Sequence, residues 1–288
     1  MNFAAIITLF HPEQSPLLNN IDLLCQAGWT VVIVDNSPDS HQHWFSANIH
    51  YLQFADNAGI AAAQNSGLKL AQQLQSDFAM LLDQDSELNE SFIAALMMRT
   101  QKACRQFNQL AAYGPTIVSQ FDHRAVKAGF QKPIKSDDGF LICRQIIASG
   151  MTIPLSVIND IGLMEEGLFI DGVDHEWCWR AQQKGYVVVC DSETSLLHRQ
   201  GEERKRLLGI TFKIGQPLRL YYQYRNILVL LRRAYVPLYW KARNLIALPV
   251  RWLVNRFFVA DSTLRGRYIS AGIKDGLRAR TGRYKTDK

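Results

Sequence analysis

Four short apolar runs, each ending in a polar loop, constrain this chain most. They occupy residues 3–9, 30–34, 51–54 and 78–82, and patterns of helical spacing separate the first pair and the last pair. A continuous apolar run of this length is expected of a strand covered on both faces. Leu17, Leu18, Ile21, Leu24 and Cys25 give a helix over 17–27, and a second helix follows over 61–74. Strands alternating with crossover helices predict a parallel sheet. In such sheets ligands lie beyond the carboxyl ends of the strands. Asp35, Asn57, Asp83 and Asp85 all follow strand ends, so four polar groups from separate segments converge on one edge.

The last run, Phe78-Ala79-Met80-Leu81-Leu82, ends in Asp83-Gln84-Asp85. If the strand alternation continues, both carboxylates point the same way. Hard cations such as Mg²⁺ and Mn²⁺ take oxygen ligands and bridge carboxylates to substrate phosphates. With 17 Asp in the 288 residues, chance alone supplies about one Asp-x-Asp. The convergence of segments therefore carries the argument, and the motif by itself does not.

Further along, a helix is expected over 90–107, a strand over 112–119, an irregular polar stretch over 121–135 and a short helix over 154–161. Asp174 and Glu176 open another helix that runs to Lys184 and stops at Gly185. Carboxylates are favoured there by the helix dipole, so capping competes with chemistry as their reason. A strand over 186–190 follows, and then His198, whose imidazole suits Mn²⁺ and tolerates Mg²⁺.

Charge divides the chain. Residues 1–199 carry 21 Asp or Glu against 12 Lys or Arg, and residues 200–288 carry five against 20. An acidic body with a basic tail directs the tail toward something anionic. In the tail Trp240, Trp252, Phe257 and Phe258 mix with Lys241, Arg243, Arg251 and Arg256, as in helices that lie in a membrane interface. The competing reading packs these aromatics on the body. No nucleic-acid-binding motif accompanies them, so a nucleic-acid partner is not expected. Five cysteines without a Cys-x-x-Cys pair read as reduced thiols of a cytoplasmic protein. No signal peptide and no membrane span are expected.

Taken in order, several stretches resemble the family-2 inverting glycosyltransferases with the GT-A fold. They are Ile33-Val34-Asp35-Asn36-Ser37, the Asn57-Ala58-Gly59-Ile60 loop with Asn65-Ser66-Gly67, Leu82-Asp83-Gln84-Asp85, Ala148-Ser149-Gly150, the Asp171-Gly172-Val173-Asp174-His175-Glu176-Trp177 region and His198-Arg199-Gln200-Gly201. Within the family the chain is most similar to bacterial rhamnosyltransferases that use dTDP-L-rhamnose. The Tyr221-Tyr222…Arg225-Asn226 pattern resembles the tail of the same relatives.

The resemblance implies a mostly parallel nucleotide-binding sheet flanked by helices in a catalytic domain over 1–201, with a basic helical extension over 202–288. It implies that Asp35 contacts the base and that Asp83 lies near the ribose and diphosphate. Asp85 and His198 would hold Mg²⁺ or Mn²⁺, and Asp174 would be the general base. Ser149 and Gly150 would line the donor or acceptor pocket, and Asn57, Gly59 and Asn65 would shape the nucleotide loop. Val173-Asp174 stands where many members have Glu-Asp, which leaves Glu176 as a rival base. The implied acceptor is a saccharide on a polyprenyl diphosphate at the inner face of the cytoplasmic membrane, in O-antigen-like assembly. A UDP-hexose or galactofuranose donor, and a non-catalytic nucleotide-sugar-binding protein, remain as alternatives.

Overall fold

The computed structural model describes residues 1–119, 134–135, 138–198, 203–207 and 210–285. The first half follows the expected alternation: β1 (Phe3–Leu9), α1 (Gln14–Gln26), β2 (Thr30–Asp35), β3 (His50–Gln53), α2 (Ile60–Gln73), β4 (Phe78–Asp83) and α3 (Glu90–Gln106). The side chain of Asn89 caps α3 by accepting from Phe92 N at 2.8 Å. The second half holds β5 (Leu110–Ser119), β6 (Ile134–Lys135), β7 (Phe140–Cys143), β8 (Thr152–Pro154), α4 (Ile158–Ile161), α5 (Val173–Gln183) and β9 (Val187–His198). The irregular stretch expected over 121–135 lies outside the described residues except for β6. A two-stranded ribbon, β10 (Glu203–Leu207) with β11 (Ile210–Ile214), leads to three helices: α6 (Pro217–Leu231), α7 (Leu238–Phe257) and α8 (Ser262–Leu277).

Among the described residues one nine-stranded sheet has the order β3-β2-β1-β4-β8-β5-β9-β7-β6. The half built from β3, β2, β1 and β4 is wholly parallel. The antiparallel β8 joins it to the parallel pair β5 and β9. Alternation along β1 divides the core. Phe3, Ala5, Ile7 and Leu9 face a layer with Leu17, Ile21 and Leu24 of α1 and Phe92 and Leu96 of α3. Ala4 and Ile6 face a layer with Leu68 of α2 and Trp177 of α5.

The chain past residue 201 is not an appendage. Ile227, Leu230, Val236 and Trp240 lie in the same core layer as Trp177 and Trp179. The rings of Trp179 and Trp240 meet edge to face at 5.1 Å. Gly272 and Gly276 let α8 close on α6, since a Cβ at Gly272 would stand 2.5 Å from the Tyr221 carbonyl oxygen. The domain boundary that the resemblance implied at 201 therefore does not coincide with a break in packing. Burial in the core requires apolar faces on α6 and α7, and the basic residues between those faces obscured them.

Candidate active site

The carboxyl edge of β4 is built on a turn. Asp83 ends the strand, and Ser86 N donates to the Asp83 carbonyl at 3.2 Å. The expected continuation of strand alternation from Asp83 to Asp85 is corrected here: Asp85 sits in the turn, exposed, while Asp83 is half-buried. The turn redirects the backbone, so period 2 no longer relates the two carboxylates. Asp83 Oδ2 accepts a hydrogen bond from the buried Ser149 hydroxyl. Gly150 N donates to the Leu81 carbonyl at 2.8 Å, with φ of +79°, and a Cβ there would meet the Pro115 ring. Ser149 and Gly150 are thus brought onto the edge where Asp83 stands.

Gln84 bridges to the neighbouring strand end. Its Oε1 accepts from Phe10 N at 2.7 Å and its Nε2 donates to Phe10 O at 3.2 Å. An isolated antiparallel bridge joins Glu87 to Leu197. That register sets the backbone of His198 opposite Ser86, one residue from Asp85. The His198 side chain, and Arg199, Gln200 and Gly201, lie outside the described residues.

Asp35 ends β2 with its carboxylate fully buried. Oδ2 accepts from Tyr51 Oη at 2.7 Å and lies 2.7 Å from His41 Nδ1, and Oδ1 accepts from Ser37 N at 2.8 Å. Burial pushes this carboxyl up, but the bonds from Ser37, His41 and Tyr51 outweigh burial and hold it below the usual carboxylate range. A covered carboxylate with both oxygens engaged shapes the turn after β2. His41 and Tyr51, which it holds, were not singled out in the sequence, because their partner lies 6 and 16 residues away with no fixed spacing.

The loop before α2 is also preformed. Asn57 Oδ1 accepts from Gly59 N at 2.9 Å, and Asn36 spans Ala58 N and Gly59 O at 3.2 and 3.1 Å. Gly59 has φ of +89°, and a Cβ would lie 2.7 Å from the Phe169 carbonyl oxygen and ring. Asn65 departs from its expected place. It is buried in α2 and binds Met164 N and O at 2.8 and 2.9 Å and Glu166 Oε1 at 2.9 Å. It pins the 164–166 segment and leaves the nucleotide loop to Asn57 and Gly59. A cavity of about 510 Å³ lies behind this loop, lined by Asn57, Ala58, Glu166 and Phe169, but by none of Asp83, Asp85 and Asp174.

The two acids of α5 part company. Glu176 is wholly buried; Oε1 and Oε2 accept from Arg180 at 2.9 and 3.0 Å, and Oε1 accepts from Tyr235 Oη at 2.7 Å and faces Arg233 Nη1 at 3.3 Å. Such a carboxylate is committed to structure. Asp174 is half-buried in the first turn of α5, where its Oδ1 accepts from His175 N at 2.8 Å. The loop leading to it is unusual. Phe169 (φ +65°, ψ −63°) centres a γ-turn closed by Ile170 N to Leu168 O at 2.7 Å, and Asp171 and Gly172 follow at φ +66° and +89°. Non-glycine residues in such conformations cost about 1–3 kcal/mol each and persist only where their surroundings hold them. Arg219 grips the Asp171 carboxylate with three contacts of 2.8–3.1 Å. The Phe169 carbonyl accepts from Ile60 N at 2.8 Å, which ties this loop to the start of α2.

Asp83 and Asp85 offer the hard oxygen donors that suit Mg²⁺ or Mn²⁺. Among the described residues no three His, Cys, Asp or Glu gather to hold an ion by themselves. Such an edge matches a metal whose remaining ligands come from water and a bound diphosphate, the usual habit of Mg²⁺.

The profile of Glycosyl transferase family 2 matches residues 5–150, just over half of the chain. The protein described as dTDP-rhamnosyl transferase RfbF of Shigella flexneri is 29% identical over 296 residues, spanning 98% of this chain and 97% of that protein. Among solved structures, S. aureus TarS 1-349 superposes with a TM-score of 0.58 at 14% identity, over 96% of this chain and 81% of that chain. GalNAc-T7 with UDP, GalNAc and Mn²⁺ superposes with a TM-score of 0.59 at 13% identity, over 96% of this chain but only 56% of that one. At these identities the two superpositions speak for the fold.

Proposed function

We propose, from the premise that the chain belongs to glycosyl transferase family 2, has the GT-A fold and is a glycosyltransferase, that it moves L-rhamnose from dTDP-L-rhamnose. The single observation that carries the donor is the similarity to a dTDP-rhamnosyl transferase along nearly the full length of both chains. The acceptor in this reading is a saccharide on a polyprenyl diphosphate, in O-antigen-like surface-polysaccharide assembly.

The chemistry follows from the residues. The acceptor hydroxyl loses its proton as its oxygen attacks the anomeric carbon, and Asp174, the acid of α5 left uncommitted to the buried ion network, receives it. The new C–O bond forms on the face opposite the departing dTDP, so a single displacement inverts the centre without a covalent enzyme intermediate. Asp83, steadied by Ser149, borders the diphosphate, and the preformed Asn57–Gly59 loop orders the nucleoside. Asp85 and His198 would hold Mg²⁺ or Mn²⁺, which supplies charge neutralisation at the leaving diphosphate.

The membrane partner has its support in α7. Leu238, Leu245, Ile246, Val250, Leu253 and Phe257 are exposed, and their spacing of seven, one, four, three and four residues puts them on one stripe of the helix. Arg243 borders the stripe, Arg256 stands on it, and Trp252 and Phe258 are exposed beside it. No helix among the described residues is long and apolar enough to cross a membrane. An apolar stripe with basic residues on and beside it suits a helix lying flat on an anionic bilayer. It would bring the site to an acceptor held in that bilayer.

Calorimetric titration with dTDP and with UDP, each with Mn²⁺ and with EDTA, tests the donor. Metal-dependent binding that favours dTDP is the expected result. A preference for UDP keeps the mechanism and discards rhamnose, and no binding of either overturns the site.

A further inference from the structure

The left-handed residues ahead of α5 need something to hold them, and that holder comes from the C-terminal extension. Asn226 is buried in α6, and its Nδ2 lies 2.9, 2.7 and 2.9 Å from the carbonyl oxygens of Leu168, Ile170 and Asp171. Its Oδ1 accepts from Arg225 Nε at 2.9 Å. Arg225 is wholly buried and gives three further bonds to backbone: Gly167 O at 3.0 Å, Leu168 O at 2.8 Å and Gly282 O. Its guanidinium lies 5.3 and 5.0 Å from the ring centres of Tyr221 and Tyr222. Phe169 stacks flat on Tyr222 at 4.7 Å. One side chain thus gathers three carbonyls of the turn that ends three residues before Asp174. Past Asp174, the segment after α6 engages α5 again through Arg233 and Tyr235 on Glu176.

We propose that Asn226, backed by Arg225, is a positioning residue for the Asp174 carboxylate. The amide fixes the three carbonyls, the carbonyls fix the left-handed path through Asp171 and Gly172, and that path sets the angle at which the first turn of α5 presents Asp174. This inference rests on the reading of Asp174 as general base. It gives the Tyr-Tyr…Arg-Asn stretch a role in the reaction, although its side chains need touch no substrate. It also accounts for a buried arginine whose charge is met mainly by main-chain oxygens: a fork of donors can order a turn that carboxylates could not.

The test is a double-mutant cycle on the full-length protein, read as steady-state hydrolysis of dTDP-L-rhamnose (or of the UDP-sugar, if UDP wins the titration above). Asn226→Ala is expected to lower kcat by about 10- to 100-fold, the scale of a displaced catalytic group. KM for the donor and calorimetric affinity for the nucleotide should move by less than about threefold. In an Asp174→Glu background, where the carboxylate is already displaced, Asn226→Ala should lower kcat by less than about threefold. An equal fold loss in both backgrounds, or nucleotide affinity falling together with kcat, overturns the proposal and makes the amide a servant of the fold or of the donor site. If Asn226→Ala does not fold, Arg225→Lys, which keeps the charge and loses the fork, passes through the same cycle with the same expectation. Asp174→Asn separates the two levels. Full hydrolysis in that variant removes the base assignment itself, whereas lost hydrolysis with additive Asn226 effects removes only the positioning role.

Discussion

Replacing Glu176 by Gln separates the two acids of α5. Glu176 is fully buried and receives Arg180 twice, Tyr235 and Arg233 within 2.7–3.3 Å. Removing one partner of a buried ion pair costs about 3–5 kcal/mol, because the opposite charges stay desolvated. Gln keeps one acceptor oxygen, and Arg233 keeps Glu165, so the low end applies, about 3 kcal/mol. At about 2–4 °C per kcal/mol for a domain of this size, Tm falls by roughly 6–12 °C. Turnover of the nucleotide sugar at 20 °C, where the variant remains folded, should change by less than about threefold, since Glu176 touches no reacting atom in this account. Differential scanning fluorimetry and a nucleotide-release assay on the same preparation give both numbers. An unchanged Tm with turnover lost would refute the reasoning and make Glu176 the base in place of Asp174.

Three more outcomes are expected. Gly59→Ala forces a side chain into a φ of +89° against the Phe169 carbonyl and disturbs the Ile60–Phe169 bond; a loss of about 2–4 kcal/mol in stability or nucleotide affinity is expected by melting and calorimetry, and wild-type values would exclude the close approach. Asp191 is buried, and although burial pushes its carboxyl up, Arg99, Glu193 N, Tyr113 and Thr194 hold it below the usual range. A depressed folded-state pKa stabilises above the unfolded value and loses that contribution as pH falls through the folded one. Asp191→Asn should therefore cost about 3 kcal/mol at pH 7, with the gap to wild type closing below about pH 4; a gap constant down to pH 2.5 would contradict the ion pair with Arg99. Ile246→Glu with Leu253→Glu on the outward stripe of α7 should abolish flotation with vesicles of anionic phospholipid while nucleotide binding persists, and undiminished flotation would remove α7 from the membrane.

What could be read from the sequence follows the range of its signals. The parallel half was legible because each strand is buried on both faces and each helix repeats at 3.6 residues, both local patterns. Asp83 reaches the edge by ending β4, whereas Ser149 and Gly150 reach it from the start of the antiparallel β8, which the parallel pattern did not announce. Period 2 misled at Asp85, since it holds only while the strand lasts, and β4 stops at Asp83. Asn65 was misplaced because its partners at Met164 and Glu166 lie about 100 residues away. Tyr51 and His41, the partners of Asp35, were not legible either, because they lie 16 and 6 residues away with no fixed spacing. The choice between Asp174 and Glu176 was open for a simple reason. They stand two apart on one helix, and two residues along a helix is a turn of about 200°, which carries Glu176 into the core and leaves Asp174 half-buried. The core needed Arg233 and Tyr235, from a part of the chain that composition set apart as a basic tail.

The measurement that tests the central claim most directly is nucleotide release from dTDP-L-rhamnose by the wild type and by Asp174→Asn, with the affinity of both for dTDP measured alongside. The account predicts dTDP release by the wild type and loss of at least about 100-fold in the variant at unchanged dTDP affinity. Full release by Asp174→Asn, or release from a UDP-sugar but not from dTDP-L-rhamnose, would contradict it.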